Sequence, residues 1–344
     1  MTKTHLTSLG PLMISIEGLQ LSDAETARLK HPLIGGVILF SRNFQNRAQL
    51  HQLVLSIQAL RTPSLLVAVD HEGGRVQRFR DGFTAIPAMG KLGNYFDSSP
   101  EEAKIFSEEC GWLMAVELLN LGIDFSFAPV LDINYGNNQV IGDRAFHRNI
   151  KTIEQLSSRF RQGMQRAGMI SVGKHFPGHG FVAADSHQEL PCDQRLLEQI
   201  ATSDLVPFRH AINEGIEAIM PAHVIYPAID DNPAGFSSFW LQKVLRQQLE
   251  FSGVIISDDL NMGGAEWAGN AVDRARVALA AGCNLLLHCN NSDGDQQLIE
   301  QLETSATGDQ QELLETLYGQ LNCDAGPAEQ QRIIKKIEEF NLPS

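Results

Sequence analysis

The chain has 344 residues, of which 43% are hydrophobic and 20% are charged, and its formal net charge at pH 7 is −14. This length suits one large α/β barrel, and the hydrophobic share is enough to build its core. The acidic balance argues against nucleic acids and anionic membranes as partners, because both would repel the chain. We therefore expect a small-molecule partner, with no nucleic-acid or membrane partner.

The five cysteines lie far apart and form no close pair of the kind found in zinc or redox motifs. They are Cys110, Cys192, Cys283, Cys289 and Cys323. We interpret them as reduced packing residues, which suits a reducing compartment. No run of eighteen apolar residues occurs, and residues 1–10 contain no sustained apolar stretch. The expected location is the cytoplasm, and a monomer is expected.

Short apolar runs alternate along the chain with longer segments of helical period, which is the pattern of repeated strand and crossover-helix units. The predicted strands are 12–16, 36–40, 65–70, 125–133, 170–175, 218–223, 253–258 and 284–288. The predicted helices are 47–60, 101–120, 153–167, 205–214, 239–249 and 272–281. Eight such units predict an α/β fold of the (β/α)8 TIM-barrel type, with the active site at the C-terminal ends of the strands.

The chain after residue 290 does not continue the alternation of strands and helices, because its pattern is polar and helical. Residues 328–340 have the pattern of a charged, amphipathic helix. We expect residues 291–344 to form a helical segment that packs on the outside of the barrel. Since there is no Ser/Gly linker, residues 1–344 are predicted to form a single catalytic domain.

Polar side chains collect where the predicted strands end, and in such a barrel all these ends lie on one face. They are residues 70–72, Asp132, Lys174, His175, His223, Asp258, Asp259 and His288. The densest stretch, Gly-Lys-His-Phe-Pro-Gly-His-Gly at 173–180, is followed by Asp185, Ser186 and His187. Its polar groups would be costly to bury without a use, and its Gly and Pro residues fix sharp turns. We interpret it as an active-site loop.

Six motifs, in order, resemble glycoside hydrolase family 3, and more closely its β-N-acetylglucosaminidases of bacterial peptidoglycan recycling. They occupy 69–79, 127–132, 141–147, 174–187, 220–223 and 257–262, and the resemblance spans about 12–290. It implies a retaining exo-β-N-acetylglucosaminidase that needs no cofactor or metal. The implied substrate is a saccharide from peptidoglycan turnover, namely GlcNAc-1,6-anhydroMurNAc with or without its peptide.

The same resemblance implies roles for individual residues. Asp258 is the implied nucleophile, and His187 paired with Asp185 is the implied acid/base group. Residues implied to hold the N-acetylglucosamine ring are Asp70, Arg78, Arg144, Lys174 and His175. These roles suit the residue types: a carboxylate can attack an anomeric carbon, and an imidazole has an unperturbed pKa of about 6.5, close to cytoplasmic pH.

Several alternatives stay open from the sequence. Asp258 or Asp259 could cap the following helix. Arg78 and Arg144 could form ion pairs with Asp70 or Asp143, and Asp132 could be structural or catalytic. We interpret His179 and His223 as supporting residues.

Two other functions compete with glycoside hydrolysis. One is a metal-dependent barrel hydrolase, because His and Asp at strand ends can also bind zinc. The first strand has no His-x-His, however, and the ammonium group of Lys174 would repel a metal cation. The other is a sugar-binding homologue without activity. A further mechanism for 2-acetamido sugars uses the carbonyl of the substrate itself as the nucleophile.

Overall fold

The computed structural model describes residues 4–5, 8–182, 190–303, 308–322 and 326–342, and within these residues eight parallel strands form a closed barrel. The strands are β1 (Leu12–Ser15), β2 (Ile34–Leu39), β3 (Leu66–Val69), β4 (Phe125–Ser126), β5 (Val172–Phe176), β6 (Ala218–Pro221), β7 (Val254–Ile255) and β8 (Leu286–His288). Each of them overlaps one of the eight predicted runs, although β4 is much shorter than the predicted 125–133. The predicted barrel is therefore confirmed.

The barrel is closed by two regular ladders and two short junctions. One ladder runs β8-β1-β2-β3-β4, and the other runs β5-β6-β7. Val130 bridges to Lys174 between β4 and β5, and Ile256 bridges to Leu285 between β7 and β8. The fourth strand is regular only at its start, because Pro129 lacks an N–H donor for the ladder. The chain beyond it still follows β5, since Leu131 donates its N–H to the Lys174 carbonyl over 2.7 Å.

The strands consist of apolar runs because both of their faces are buried, one inside the barrel and one under the helices. Every residue of β1, β2 and β3 is buried. The helices are α1 (Asp23–Leu29), α2 (Arg47–Gln58), α3 (Met89–Ser98), α4 (Pro100–Leu119), α5 (Ile150–Ala167), α6 (Leu197–Ala201), α7 (Leu205–Asn213), α8 (Phe239–Gln248, wound as a π-helix), α9 (Ala271–Ala281), α10 (Ser292–Gln301), α11 (Gly308–Glu315) and α12 (Pro327–Asn341). The six helices predicted between strands are α2, α4, α5, α7, α8 and α9.

Short strand pairs and 3-10 segments lie outside the eight barrel strands. Thr4–His5 pairs with Arg61–Thr62, His71–Gly73 with Val76–Gln77, and Ile225–Tyr226 with Asp230–Pro233. Single 3-10 turns lie at Ser41–Asn43, Gly142–Arg144, Ala234–Phe236 and Gly263–Ala268. The hairpin after β3 turns at Gly74, where φ is +57° and an added Cβ would come within 2.7 Å of Ala88. This turn brings Arg78 back towards the end of β3.

Helix α12 packs against α4 on the outside of the barrel. Ile333 and Ile337 are fully buried, and the ring of Phe340 lies 4.7 Å from that of Phe106. Lys336 Nζ donates to Glu109 Oε2 over 2.5 Å at the edge of this contact. No helix among the described residues has both the length and the apolar character that a bilayer span requires.

Candidate active site

One cavity of about 550 Å³ opens at the C-terminal ends of the strands. The described residues that the sequence assigns to the site all line it, namely Asp70, Arg78, Arg144, Lys174, His175 and Asp258. They come from different parts of the chain and meet because the ends of β3, β5 and β7 share one face of the barrel. Asp185 and His187 lie outside the described residues.

Asp70 follows β3 and lies between two cations. Its Oδ1 accepts a hydrogen bond from Lys174 Nζ over 3.0 Å, and its Oδ2 accepts one from Arg78 Nη2 over 3.2 Å. Burial opposes the charge of this carboxylate, but Lys174 and Arg78 outweigh burial and hold the pKa of Asp70 well below its ordinary value. Asp70 is therefore an anion at any physiological pH and can accept hydrogen bonds from hydroxyl groups of a ligand.

Arg144 pairs with Glu72, which the sequence did not indicate. Arg144 Nε and Nη2 each donate to one oxygen of Glu72 over 2.8 Å, which is a bidentate pair. Asp143 instead accepts from Arg75 Nε over 3.2 Å. The alternative that paired Arg144 with Asp70 or Asp143 is therefore wrong, whereas the alternative that paired Arg78 with Asp70 is correct.

Lys174 extends this ion-pair cluster from β5. Its Nζ lies 2.7 Å from Glu72 Oε1 as well as 3.0 Å from Asp70 Oδ1. Burial opposes its charge, but the two carboxylates raise the pKa of Lys174 above its ordinary value. Burial likewise opposes the charge of Glu72, and Arg144 and Lys174 lower the pKa of Glu72 to about 2. All members of the cluster are therefore charged at neutral pH.

His175 is held in place by Asp132, which lies beneath the cavity. His175 Nδ1 lies 2.7 Å from Asp132 Oδ2, so Nδ1 is the donor and Nε2 is the ring nitrogen left for a ligand. Asp132 Oδ1 also accepts the backbone N–H of His179 over 2.7 Å. The side chain of Asp132 is fully buried and does not line the cavity. This geometry favours a supporting role for Asp132.

Asp258 follows β7 and contributes to the wall of the cavity. Its Oδ1 accepts the backbone N–H of Asp259 over 2.8 Å. Asp259 Oδ1 in turn accepts the N–H groups of Asn261 and Cys289, over 2.9 and 3.0 Å, and so ties this loop to the end of β8. Burial raises the pKa of Asp259 to about 6. The next helix, α9, is capped by Asn270, so the proposal that Asp258 or Asp259 caps it is wrong.

The histidines that lie at or just beyond the strand ends do not all line the cavity. Among the described residues, His175 and His179 line it. His71 is buried beside Phe79 and Phe83, His147 contacts Asp97, His223 contacts the Asp259 carbonyl, and His288 contacts Asp295. Burial lowers the pKa of His179 to about 4, so its ring is neutral at physiological pH.

His223 supports the loop that follows β7. Its Nε2 lies 3.1 Å from the Asp259 carbonyl oxygen, and its ring stacks on Phe236 at 5.3 Å. The ring is fully buried and does not line the cavity. These contacts agree with the supporting role expected for His223.

The sequence reasoning gave no role in the cavity to Phe40, and it noted Glu72 only as one of the polar residues 70–72 at a strand end. Phe40 follows β2 and lines the cavity, and the guanidinium groups of Arg42 and Arg78 lie over its ring at 4.7 and 5.6 Å. Glu72 follows Asp70 by two positions. The strand-end position of both residues was the available signal, since each lies at the end of a predicted strand or just beyond it.

Comparisons with known proteins agree with this geometry. The model described as the glycosyl hydrolase family 3 N terminal domain matches residues 7–314. A β-hexosaminidase from Methylobacillus flagellatus is 55% identical over 296 residues, which cover 86% of this chain and 85% of that protein.

Two crystal structures of NagZ from Neisseria gonorrhoeae are also similar. One, in complex with N-trifluoroacetyl-D-glucosamine, has a TM-score of 0.93 and 43% identity, and the match covers 98% of this chain and all of that one. The other, in complex with zinc ion, has a TM-score of 0.88 and 42% identity, covering 98% of each chain. With these matches along nearly its whole length, the chain belongs to glycosyl hydrolase family 3, among its β-hexosaminidases of the NagZ type.

Proposed function

We propose that the chain is a retaining exo-β-N-acetylglucosaminidase that removes terminal β-linked GlcNAc from peptidoglycan turnover fragments. The substrates are GlcNAc-1,6-anhydroMurNAc and its peptide-bearing forms. The observation that supports this most is the shared cavity, where Asp258 and a cluster of charged hydrogen-bonding groups surround one space of sugar size. That a NagZ relative was crystallised with an N-acylated glucosamine analogue supports the choice of sugar.

The sugar-binding role follows from the chemistry of the cavity wall. Asp70 is a permanent anion that can accept hydrogen bonds from two sugar hydroxyls, while Lys174 and Arg144 donate to hydroxyl oxygens. Arg78 and the Nε2 of His175 add two further polar contacts at the wall. Because these groups are held by ion pairs before the substrate arrives, little conformational freedom is lost on binding.

The proposed chemistry has two steps through a covalent intermediate. The Asp258 carboxylate attacks the anomeric carbon, the glycosidic C–O bond breaks, and protonated His187 gives its proton to the departing oxygen. Water then attacks the anomeric carbon, releases Asp258 and gives a proton back to His187. Asp185 orients His187 and stabilises its protonated form. The roles of His187 and Asp185 rest on the sequence motif.

The first prediction is that the protein hydrolyses aryl β-N-acetylglucosaminides with net retention of configuration. Two successive inversions at one carbon restore the original configuration. Proton NMR during the first minutes of reaction should therefore show the β-anomer of N-acetylglucosamine before mutarotation. Initial release of the α-anomer would contradict the covalent mechanism, and binding without any release would favour the inactive sugar-binding alternative.

The second prediction concerns metal ions, since one NagZ relative was solved with zinc. Among the described residues, no group of three or more His, Cys, Asp or Glu side chains is arranged to hold a metal ion. The ammonium group of Lys174, buried at the cavity wall, would repel a cation there. We expect prolonged dialysis against a strong chelator to leave kcat/KM unchanged. Loss of activity that returns with added zinc would support the metal-dependent alternative.

The domain organisation and location complete the proposal. We infer that residues 1–344 act as one catalytic domain, with the helical segment 291–344 packed on the barrel, and the burial of Ile333 and Ile337 supports this. We place the activity in the cytoplasm. The four described cysteines are unpaired, which suits a reducing compartment.

A further inference from the structure

Glu72 lies at the centre of the ion-pair cluster formed by Asp70, Glu72, Arg78, Arg144 and Lys174. Both of its carboxylate oxygens accept hydrogen bonds from cations of the protein. Oε1 accepts from Arg144 Nη2 over 2.8 Å and from Lys174 Nζ over 2.7 Å, and Oε2 accepts from Arg144 Nε over 2.8 Å. The side chains of Glu72 and Lys174 are each 3% exposed, and that of Arg144 is 10% exposed. Among the described residues of this cluster, Glu72 is thus the carboxylate that contacts both Arg144 and Lys174.

Arg144 and Lys174 reach the cavity from distant parts of the chain, one from a 3-10 turn and one from β5. Long side chains of this kind have many rotamers, and each contact with a fixed buried carboxylate removes some of that freedom. We propose that Glu72 is a positioning residue that orients Arg144 and Lys174 for sugar binding. The proposal rests on the proposed function, because it assumes that these two cations bind the sugar.

The charges around Lys174 determine what the loss of Glu72 would do. Among the described residues, Lys174 faces Asp70, Glu72 and Arg144, and its ammonium group lies 5.9 Å from the centre of the Phe127 ring. Asp70 is shared with Arg78. Without the charge of Glu72, Asp70 is the carboxylate that still contacts Lys174 among the described residues. Burial and Arg144 would then favour the neutral form of Lys174, and its pKa would fall.

The sign of this effect gives a measurable signature. In the wild type, Lys174 stays protonated far above neutral pH because its pKa is raised. The readout is kcat/KM on an aryl β-N-acetylglucosaminide whose strongly acidic phenol needs no proton from His187. If a protonated Lys174 is needed to bind the sugar, kcat/KM for this substrate falls on the alkaline side as Lys174 loses its proton. In Glu72→Gln this fall should begin at lower pH. A role in folding stability alone would not move the alkaline limb.

The third prediction is therefore made for Glu72→Gln, compared with Glu117→Gln. Glu117 is also a buried carboxylate, but it accepts from the backbone N–H and the hydroxyl of Thr84 and does not line the cavity. We expect Glu72→Gln to lower kcat/KM by about 30-fold or more at neutral pH, mainly through KM. The alkaline limb of the kcat/KM profile of Glu72→Gln should shift to lower pH by about one unit or more. Glu117→Gln should keep the alkaline limb of the wild type.

Glu72→Asp separates positioning from charge and covers the case in which Glu72→Gln does not fold. Aspartate keeps the charge but is one methylene shorter, so it cannot maintain both cation contacts. We expect a raised KM with the alkaline limb near its wild-type position. An unchanged KM in Glu72→Asp, or an unmoved alkaline limb in folded Glu72→Gln, would overturn the proposal. A wild type that does not hydrolyse aryl β-N-acetylglucosaminides would instead refute the proposed function.

Discussion

Replacing Asp258 by asparagine is expected to lower kcat roughly 10⁴- to 10⁶-fold, the range seen when a nucleophile is removed from an active site. The amide is nearly isosteric with the carboxylate, and its oxygen can still accept the N–H of Asp259. The amide, however, is a poor nucleophile towards an anomeric carbon and cannot form the covalent glycosyl-enzyme. The measurement is kcat on an aryl β-N-acetylglucosaminide, with circular dichroism to establish that the variant folds.

Asp259→Asn is the matched control for this fourth prediction. Asp259 is the neighbouring residue on the same loop, and its side chain holds backbone N–H groups of Asn261 and Cys289. Its loss should reduce activity far less than the loss of Asp258. Equal losses in both variants would mean that the integrity of the loop, and not the Asp258 carboxylate, is what the reaction needs.

A trapping experiment tests the same residue in the wild type. A slow fluorinated glycoside should leave an adduct that intact-protein mass spectrometry detects and peptide mapping assigns to Asp258. Fluorine slows both the formation and the hydrolysis of the intermediate, and an activated leaving group keeps formation faster, so the adduct accumulates. Turnover without any adduct would favour the route in which the acetamido carbonyl of the substrate is the nucleophile.

The barrel could be predicted from the sequence because its strands have a simple physical signature. Residues 34–39 and 66–69 are buried on both faces, so they are continuous apolar runs, and the helices between strands carry a clear helical period. The helices Asp23–Leu29 and Met89–Ser98 were not predicted. The first has only seven residues, and the second is followed almost directly by Pro100–Leu119, so neither fits a pattern of one long helix between two strands.

The cavity wall could be predicted only in outline. The topology requires that polar residues at the ends of strands share one face, and this was enough to bring Asp70, Lys174 and Asp258 together. Which charged groups pair depends on side-chain directions that spacing does not encode. The ion-pair alternative that the sequence left open for Arg144 named Asp70 or Asp143, whereas in the fold Arg144 binds Glu72, 72 positions away.

The histidines also show that the sequence does not encode the direction of a side chain. His175 and His223 both lie at strand ends, yet one lines the cavity and the other is buried beneath a loop against Phe236. The alternation of side chains along a strand and the path of the following loop decide this difference, and neither can be read from composition. Position at a strand end is thus a good indicator of the region but a weak indicator of the role.

The fifth prediction concerns His187, whose role rests on the Asp185-Ser186-His187 motif. We expect His187→Ala to lower kcat/KM by about 10²- to 10⁴-fold for substrates with poor leaving groups, which need a proton as the bond breaks. Substrates with strongly acidic phenols should be nearly unaffected in that step, because their leaving oxygen needs no proton. The measurement is the slope of log kcat/KM against leaving-group pKa, which should be much steeper in the variant than in the wild type.

His179→Ala is the appropriate control, because His179 belongs to the same sequence segment and lines the cavity. Burial lowers the pKa of His179 to about 4, so it is neutral at working pH and is a poor proton donor. Its loss should lower kcat/KM by a similar factor for all leaving groups and leave the slope unchanged. If His179→Ala steepens the slope and His187→Ala does not, the assignment of the acid/base group to His187 is wrong. A slope that is unchanged in both variants would mean that the proton comes from another group, and the His187 and Asp185 assignment would have to be abandoned.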